Sequence, residues 1–216
     1  MTSFERLVAV MIKPWVVVSC VALIVISFLY FDQPIAYYFY SVDMRTNLPL
    51  LTWITHLGVG GVYFALLLMF ALYFRYINKN PYWESRVWFL WLCVVVPSII
   101  CFGLKVMFGR ARPGLLFDEH LYGFFGMQLH APYWSFPSGH TTTVMGLMFG
   151  LAALFPNYCY RFILLGFVIV SSRILLTHHY LSDVLLACYL ALLEVGLLHC
   201  WIQRKAWFNS PNGQVV

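Results

Sequence analysis

Apolar residues dominate six stretches of this chain, and polar residues collect in the segments between them. A helix needs about 20 mostly apolar residues to cross the hydrocarbon core of a bilayer, and each stretch reaches or approaches that length. The pattern predicts an all-α, polytopic membrane protein with a single domain at residues 1–208. Residues 209–216, which include serine, proline, asparagine and glycine, are predicted to form a disordered tail. The six predicted transmembrane helices are 15–31, 57–73, 87–108, 137–155, 162–180 and 183–202.

The composition supports a membrane protein. Hydrophobic residues make up 62% of the chain and charged residues only 10%, whereas about a quarter of the residues of a soluble domain are charged. So few polar groups could not cover a soluble protein of this size, and the composition excludes that class. The net charge of +5 reflects a shortage of acids rather than a basic run, which argues against nucleic acid as a partner. The residues favour no particular oligomeric state.

Lysine and arginine fall unevenly on the two sides of the predicted helices. Cytoplasmic segments are enriched in these residues, so both termini are expected in the cytoplasm. The segments 32–53, 110–136 and around Leu181 are then expected to face outward, and the aromatic residues of 110–136 are expected to lie in the headgroup layer. The basic residues on the predicted cytoplasmic side are Arg6, Lys13, Arg75, Lys79, Arg86, Arg161, Arg204 and Lys205.

Charged residues beside membrane helices are costly and usually functional, and the first such segment runs from Lys105 to Pro113. We expect one helix to continue to Pro113, where proline ends it. Lys105 and Arg112, seven residues apart, would then lie on nearly one face. Two cations so placed repel each other unless an anion lies between them, which indicates an anion site. Arg110 is expected instead to reach towards the lipid headgroups.

The second segment, Pro137-Ser138-Gly139-His140, opens the fourth predicted helix. Amide groups at the start of a helix bind anions, and Gly139 lets the backbone approach a ligand closely. The hydroxyl of Ser138 can cap the helix or donate to an anion oxygen, and the two roles are compatible. His140 can pass a proton to whatever the amides hold.

The third segment brings Arg173, His179 and Asp183 to the outer end of the fifth predicted helix. If the chain is still helical there, the carboxylate of Asp183 can accept a hydrogen bond from one ring nitrogen of His179. That bond fixes the tautomer and leaves the other nitrogen free for nucleophilic attack. His178 is the alternative nucleophile, but its spacing from Asp183 places it on a different face. Arg173 adds a third cation, and three cations suit a phosphate dianion.

With these motifs the chain resembles the type 2 phosphatidic acid phosphatase superfamily, whose signature is K-x6-RP, PSGH and SR-x5-H-x3-D. The three parts stand at 105–113, 137–140 and 172–183 without departure. The resemblance implies six helices, an active site at the outer ends of helices three to six, and a phosphohistidine intermediate on His179. Vanadium haloperoxidases share the signature but are soluble, so the composition excludes them. The segments FGRARP and SFPSGH also resemble bacterial lipid phosphatases, including those that act on lipid A. The expected location is therefore a bacterial inner membrane with a periplasmic site.

The mechanism that the resemblance implies needs no metal or other cofactor. His179 would attack phosphorus while the cations and the amides near Gly139 hold the equatorial oxygens. His140 would protonate the departing oxygen and then activate water. A metal site would need clustered acidic ligands, and the chain has only eight acidic residues. The expected catalytic residues are His179, His140 and Asp183, and the expected phosphate-binding residues are Lys105, Arg112, Ser138, Gly139 and Arg173.

Three functions remain open from the sequence. The first is hydrolysis of a lipid-linked phosphate or diphosphate, with phosphatidic acid, phosphatidylglycerol phosphate, undecaprenyl diphosphate and lipid A as alternative substrates. The second is transfer of phosphate from a lipid diphosphate to another lipid, which would use the same residues and a hydroxyl acceptor. The third is a non-catalytic transporter or scaffold, which would have no use for a nucleophile and its orienting acid.

Overall fold

The structure is a computed structural model that describes residues 1–56 and 58–204, and all of their side chains except that of Arg45. The all-α prediction is confirmed for this part of the chain. Its regular elements are helices, and pairing between extended segments is limited there to isolated bridges of Arg110 with Phe124 and Trp134. The predicted end of the domain at residue 208 and the predicted tail 209–216 lie outside the described residues.

Ten α-helical segments follow one another in the described part of the chain, and α2 and α5 each contain one wider π-helical turn. They are α1 (Ser3–Met11), α2 (Pro14–Val42), α3 (Met44–Asn47), α4 (Pro49–His56), α5 (Gly60–Ile77), α6 (Pro81–Phe108), α7 (Pro113–Glu119), α8 (Gly139–Leu154), α9 (Cys159–Leu175) and α10 (Leu181–Arg204).

Among the described residues, five helices are long and apolar enough to cross a membrane. Four of them are α2, α5, α6 and α10, and the fifth is α9 together with the 3-10 turn before it, Pro156–Leu175. The predicted fourth span corresponds to α8, which is apolar but has 16 residues. At 1.5 Å per residue it is about 24 Å long, shorter than the hydrocarbon core of a typical bilayer. Each predicted span therefore has a helix in its place, but the count of six crossings stays a prediction.

Helix α8 lies at the centre of the bundle, where it packs against α5, α6, α9 and α10. Twelve of its 16 residues are buried, as expected for a helix that is surrounded by others. Gly146 lets α6 approach closely, because a Cβ at this position would collide with the carbonyl oxygen of Cys93. The hydroxyl of Thr142 is satisfied within the helix, where it donates to the carbonyl of Ser138 at 3.0 Å. Neighbouring helices thus fix the position of α8 on several sides.

The end of α6 differs from the prediction. The helix ends at Phe108, and Gly109 follows in the left-handed conformation with φ +54 and donates to the carbonyl of Lys105 at 3.0 Å. Glycine favours such a stop because it has no Cβ to clash. Pro113 begins α7 instead of ending α6, as proline commonly does at the first position of a helix. The prediction that Lys105 and Arg112 share one helix face was therefore wrong, since Arg112 lies beyond the helix.

The end of α9 also differs from the predicted span 162–180. The helix ends at Leu175, and the chain turns through Thr177, which has φ +53. The backbone N–H groups of His178 and His179 then donate to the carbonyl of Arg173, at 3.0 and 3.2 Å. His179 consequently lies in the turn between α9 and α10, so the helical continuity on which its spacing was interpreted does not hold.

Four helix ends meet at one end of the bundle: the last turns of α6 and α9 and the first turns of α8 and α10. The backbone N–H of Ser138 donates to the carbonyl of Asp183 at 3.2 Å, and a Cβ on Gly139 would lie 3.4 Å from Cε of Lys105. Helix α1 packs against the opposite ends of α8 and α10, where Phe4 contacts aromatic rings of both helices. The signature residues thus gather at the end of the bundle away from the N-terminal helix.

Candidate active site

Asp183, in the first turn of α10, is fully buried and lies at the centre of the site. Its Oδ2 accepts hydrogen bonds from the hydroxyl of Ser135 at 2.6 Å and from the backbone N–H of Tyr180 at 2.9 Å. The same oxygen lies 3.4 Å from Nδ1 of His179. Its Oδ1 accepts a hydrogen bond from Nη1 of Arg110. These contacts fix the carboxylate relative to the imidazole.

His179 is only 3% exposed. Burial lowers the pKa of its imidazole well below the usual value, and the hydrogen bond to Asp183 opposes that shift only in part. The ring is therefore neutral near pH 7. With its Nδ1 hydrogen directed at Asp183, the lone pair is on Nε2, which is the form that a nucleophilic histidine requires.

His178, the alternative to His179, is positioned differently. It lies on the wall of a cavity of about 530 Å³, whereas His179 is the histidine whose ring nitrogen faces Asp183. The contact that the sequence spacing suggested is present, but its geometry comes from a turn rather than from a continuous helix. The turn brings His179 back to the start of α10, where Asp183 stands.

Three cations, Arg173, Arg112 and Lys105, lie close enough to His140 to act on it electrostatically. Arg112, Arg173 and His140 line the cavity of about 530 Å³. Lys105 is buried in the last turn of α6 beside the start of α8. The structure therefore brings the three predicted cations to one place, although they come from three separate elements.

Backbone and side-chain contacts hold these cations in place. Nζ of Lys105 donates to the carbonyl of Trp134 at 2.7 Å. Nη1 of Arg173 donates to the hydroxyl of Thr55 at 2.6 Å. Thr55 and its neighbour His56 belong to α4 and also line the cavity. They are absent from the sequence prediction, because no signature connects α4 with the later motifs.

The start of α8 contributes Ser138, Gly139 and His140. The Ser138 hydroxyl accepts hydrogen bonds from the backbone N–H of Thr141 at 3.4 Å and from its hydroxyl at 2.9 Å, so it caps the helix. Gly139 lies against Lys105, at the distance where a Cβ would just touch its side chain. His140 is half-buried and forms part of the cavity wall. A histidine and a helix start thus lie together beside the cations.

Arg110 corrects one of the sequence interpretations. Instead of reaching towards lipid headgroups, it is fully buried, and its guanidinium lies between two carboxylates. Its Nη2 donates to Asp32 at 2.7 Å, and its Nη1 donates to Asp183 and, at 2.7 Å, to the hydroxyl of Ser182. The physical reason is that α6 ends at Phe108 and Gly109 turns the chain, so the next side chain enters the protein instead of continuing along the lipid-facing helix surface.

Within residues 1–56 and 58–204, no group of three or more His, Cys, Asp and Glu side chains is arranged to hold a metal ion. Positive charge at the cavity comes from Arg112 and Arg173, with Lys105 close by. Charge of this kind can bind the oxygens of a phosphate and stabilise a phosphoryl group in transfer.

Residues 86–207, more than half of the chain, match the sequence profile of the PAP2 superfamily. The chain belongs to the PAP2 superfamily. The three signature segments lie inside the matched region, and the resemblance noted from the motifs is confirmed. Asp32, Thr55 and His56 lie before the region that defines the PAP2 match.

Among PAP2 relatives, the chain is similar to proteins named lipid A 1-phosphatase from Rhizobium etli and Rhizobium johnstonii, at 37% and 36% identity. These alignments cover 45% of this chain and 42% and 40% of the relatives, so the match spans about two fifths of their length. It is also 28% identical to phosphatidylglycerophosphatase B from Haemophilus influenzae, with 69% of this chain and 80% of that protein covered. No solved structure shows significant similarity to the chain.

Proposed function

We propose that the protein is an integral membrane phosphatase that hydrolyses a lipid phosphate through a phosphohistidine on His179, without a metal. One observation carries the proposal: the buried pair of His179 Nδ1 and Asp183 Oδ2, at 3.4 Å, lies within the electrostatic reach of Arg173 and Lys105. A neutral histidine with an orienting acid and nearby cations is suited to attack a phosphate. The names of the relatives, lipid A 1-phosphatase and phosphatidylglycerophosphatase B, support a lipid phosphate as the substrate class.

In the first step, Nε2 of His179 attacks phosphorus in line with the bond to the lipid oxygen. That bond breaks, and His140 gives its proton to the departing oxygen. The non-bridging oxygens are held by Arg112, Arg173 and Lys105. Asp183 accepts a hydrogen bond from Nδ1–H of His179 throughout and stabilises the positive charge that develops on the ring.

In the second step, His140 acts in the reverse direction. It takes a proton from water while the water oxygen bonds to phosphorus, and the bond between phosphorus and Nε2 of His179 breaks. Inorganic phosphate leaves, and both histidines return to their starting forms. A lipid hydroxyl in place of water would give phosphotransfer with the same residues, so the acceptor decides between hydrolysis and transfer.

Release of inorganic phosphate tests the reaction class. Purified protein in detergent is given phosphatidylglycerol phosphate, lipid A, phosphatidic acid or undecaprenyl diphosphate, with no added acceptor lipid. Hydrolysis predicts release from at least one of the four. Release that depends on an added lipid alcohol would support the transferase, and no reaction under either condition would support the non-catalytic alternative.

Rapid mixing with nitrophenyl phosphate tests the roles of the histidines. His179→Ala is expected to release no burst of nitrophenol, because no covalent bond forms. His140→Ala is expected to give a burst and then stall, because nitrophenolate needs no proton to leave but hydrolysis of the phosphohistidine needs a base. His178→Ala serves as the control and should remain active. A burst in His179→Ala, or an inactive His178→Ala, would contradict the assignment.

We further propose that the site faces outward, because lysine and arginine favour the other side of the predicted helices. Met127 is 76% exposed in the loop beside the site, and Asn78 is exposed between α5 and α6. With Cys20 and Cys200 replaced by serine, Met127→Cys should react with an impermeant thiol reagent in intact cells. Asn78→Cys should react only after lysis, and the opposite pattern would reverse the topology.

A further inference from the structure

A chain of buried polar contacts continues from the site into the first long helix, α2. Asp32 in α2 is fully buried, and its Oδ2 accepts a hydrogen bond from Nη2 of Arg110 at 2.7 Å. Nη1 of the same guanidinium donates to Oδ1 of Asp183, and Oδ2 of Asp183 faces His179. Two carboxylates thus share one guanidinium, and the second of them orients the proposed nucleophile.

We propose that Asp32 is a positioning residue, which acts through Arg110 to hold the Asp183 carboxylate, and with it His179, in the reactive orientation. The inference rests on the proposed role of His179 as nucleophile. It adds to the site a residue from a helix that lies outside the region matched by the PAP2 profile, residues 86–207.

Asp32 and Asp183 compete for the guanidinium of Arg110. Arginine and a single carboxylate tend to pair through two parallel hydrogen bonds. If Asp32 did not hold Nη2, both Nη groups of Arg110 could turn to Asp183 and draw both of its oxygens. Because Asp32 holds Nη2, only Oδ1 of Asp183 pairs with the arginine, and Oδ2 is left for His179.

Asp32 also holds the backbone next to Asp183. Its Oδ1 accepts a hydrogen bond from the backbone N–H of Ser182 at 3.0 Å, and its Oδ2 accepts one from the Ser182 hydroxyl. Ser182 is the second residue of α10, so a carboxylate lies where a helix start favours negative charge. Asp32 therefore fixes Asp183 both through its ion-pair partner and through its chain neighbour.

Aromatic rings restrict the guanidinium of Arg110. Its Cζ lies between 4.4 and 5.7 Å from the centroids of five rings. The hydroxyl of Tyr122 accepts a hydrogen bond from Nη2 at 3.2 Å and donates to the carbonyl of Phe28. Cations bind favourably over such rings, so Arg110 has a fixed place from which to connect α2 with α10. The five rings are Phe28, Tyr122, Phe124, Phe136 and Tyr180.

Asp32→Asn tests the proposal. We expect kcat for phosphate release to fall by about 10- to 100-fold, while KM and the inhibition constant of inorganic phosphate stay within about twofold. The reason is that the cations of the cavity are unchanged and only the alignment of the nucleophile is lost. Ser27→Ala is the matched control, since it removes a donor to Oδ1 of Asp32 at 3.1 Å but leaves the Arg110 contact. Its kcat should fall by less than about threefold.

A double-mutant cycle separates positioning through Arg110 from an independent structural effect. Once Arg110→Met has removed the connection, adding Asp32→Asn should lower kcat by less than about twofold further. The proposal would be overturned if the losses of kcat in the two single variants multiplied in the double variant. It would also be overturned if Asp32→Asn changed only KM. A kcat above half that of the wild type in Asp32→Asn would also overturn it.

A milder variant covers the case in which Asp32→Asn does not fold. Tyr122→Phe removes one contact of Arg110 Nη2 without leaving a buried charge unpaired, and it should lower kcat by about three- to tenfold at unchanged KM. An unchanged kcat would overturn the proposal. Trapping of the phosphoenzyme in the wild type distinguishes this failure from that of the proposed function. Absence of an acid-labile phosphoenzyme in the wild type refutes the histidine mechanism itself, whereas its undiminished rate of formation in Asp32→Asn refutes only the role of Asp32.

Discussion

Replacing Asp183 with asparagine removes one negative charge and leaves the shape of the side chain almost unchanged. The amide nitrogen of the new residue must take the place of one carboxylate oxygen, and in this structure donors face both. Oδ1 accepts from Arg110, and Oδ2 accepts from Ser135 and Tyr180 and faces His179. Either orientation of the amide therefore brings an N–H group against another donor.

The two orientations fail in different ways. In either orientation the charge of the buried ion pair with Arg110 is lost, which costs about 3–5 kcal/mol of folding stability, and an amide nitrogen that faces Arg110 also meets its N–H groups. If it faces His179, the backbone N–H of Tyr180 loses its acceptor, at a cost of about 1–3 kcal/mol. In that orientation Nδ1 of His179 becomes the acceptor, and the ring hydrogen moves to Nε2, so the lone pair needed for attack is lost.

We therefore expect Asp183→Asn to lower kcat by on the order of 10²- to 10⁴-fold, as in other histidines deprived of their orienting acid. This corresponds to about 3–5 kcal/mol in the activation barrier. The assay is release of inorganic phosphate from a lipid substrate in detergent, with thermal unfolding measured on the same samples.

Glu5→Gln is the control, because Glu5 is also an acid that accepts two hydrogen bonds, from Thr2 and Gln203, but lies in α1 at the other end of the bundle. Its kcat should stay within about twofold of the wild type. If Asp183→Asn is folded and keeps more than about a tenth of the wild-type kcat, the orienting role of the carboxylate is refuted.

Burial keeps the pKa of His179 below its usual value of 6.5, so the neutral nucleophile persists in mild acid. As the pH is lowered, the rate of single-turnover phosphorylation should fall only below pH 6.5. A fall that begins above pH 6.5 would contradict the neutral ring. Activity should survive a strong chelator and be inhibited by vanadate, which mimics five-coordinate phosphorus; inactivation that magnesium reverses would refute a metal-free reaction. Gly146→Ala should lower the free energy of unfolding by about 1–3 kcal/mol, because its Cβ meets the backbone of Cys93. Gly61→Ala, with open space around it, should leave stability unchanged. Equal melting temperatures of the two variants would contradict the close packing of α6 and α8.

The positions of the helices could be predicted from hydropathy because lipid and protein both exclude polar groups from them. The ends could not, because they depend on local backbone bonds. Gly109 ends α6 through its left-handed conformation, and the carbonyl of Arg173 closes the turn after α9. The hydrophobic pattern of the sequence does not predict the end of α6 or the end of α9.

The signature residues of the candidate site could be predicted because their motifs are compact and specific. The residues that hold them in place are connected across long sequence separations. Asp32 lies 78 residues before Arg110 and 150 before Ser182, and Thr55 lies 118 residues before Arg173. No spacing rule joins such pairs, and only the packing of α2 and α4 against the later helices brings them together.

The burial of Asp32 has a consequence for biosynthesis. Helix α2 leaves the ribosome well before Arg110 and Ser182 have been made, so this carboxyl group enters the membrane before its partners exist. An acid within an apolar helix opposes stable insertion. Helix α2 becomes fully compatible with the bilayer only when Arg110, which follows α6, and Ser182 in α10 have paired with Asp32. Helix α10, which is synthesised well after α2, is therefore needed to complete the surroundings of α2 in the membrane.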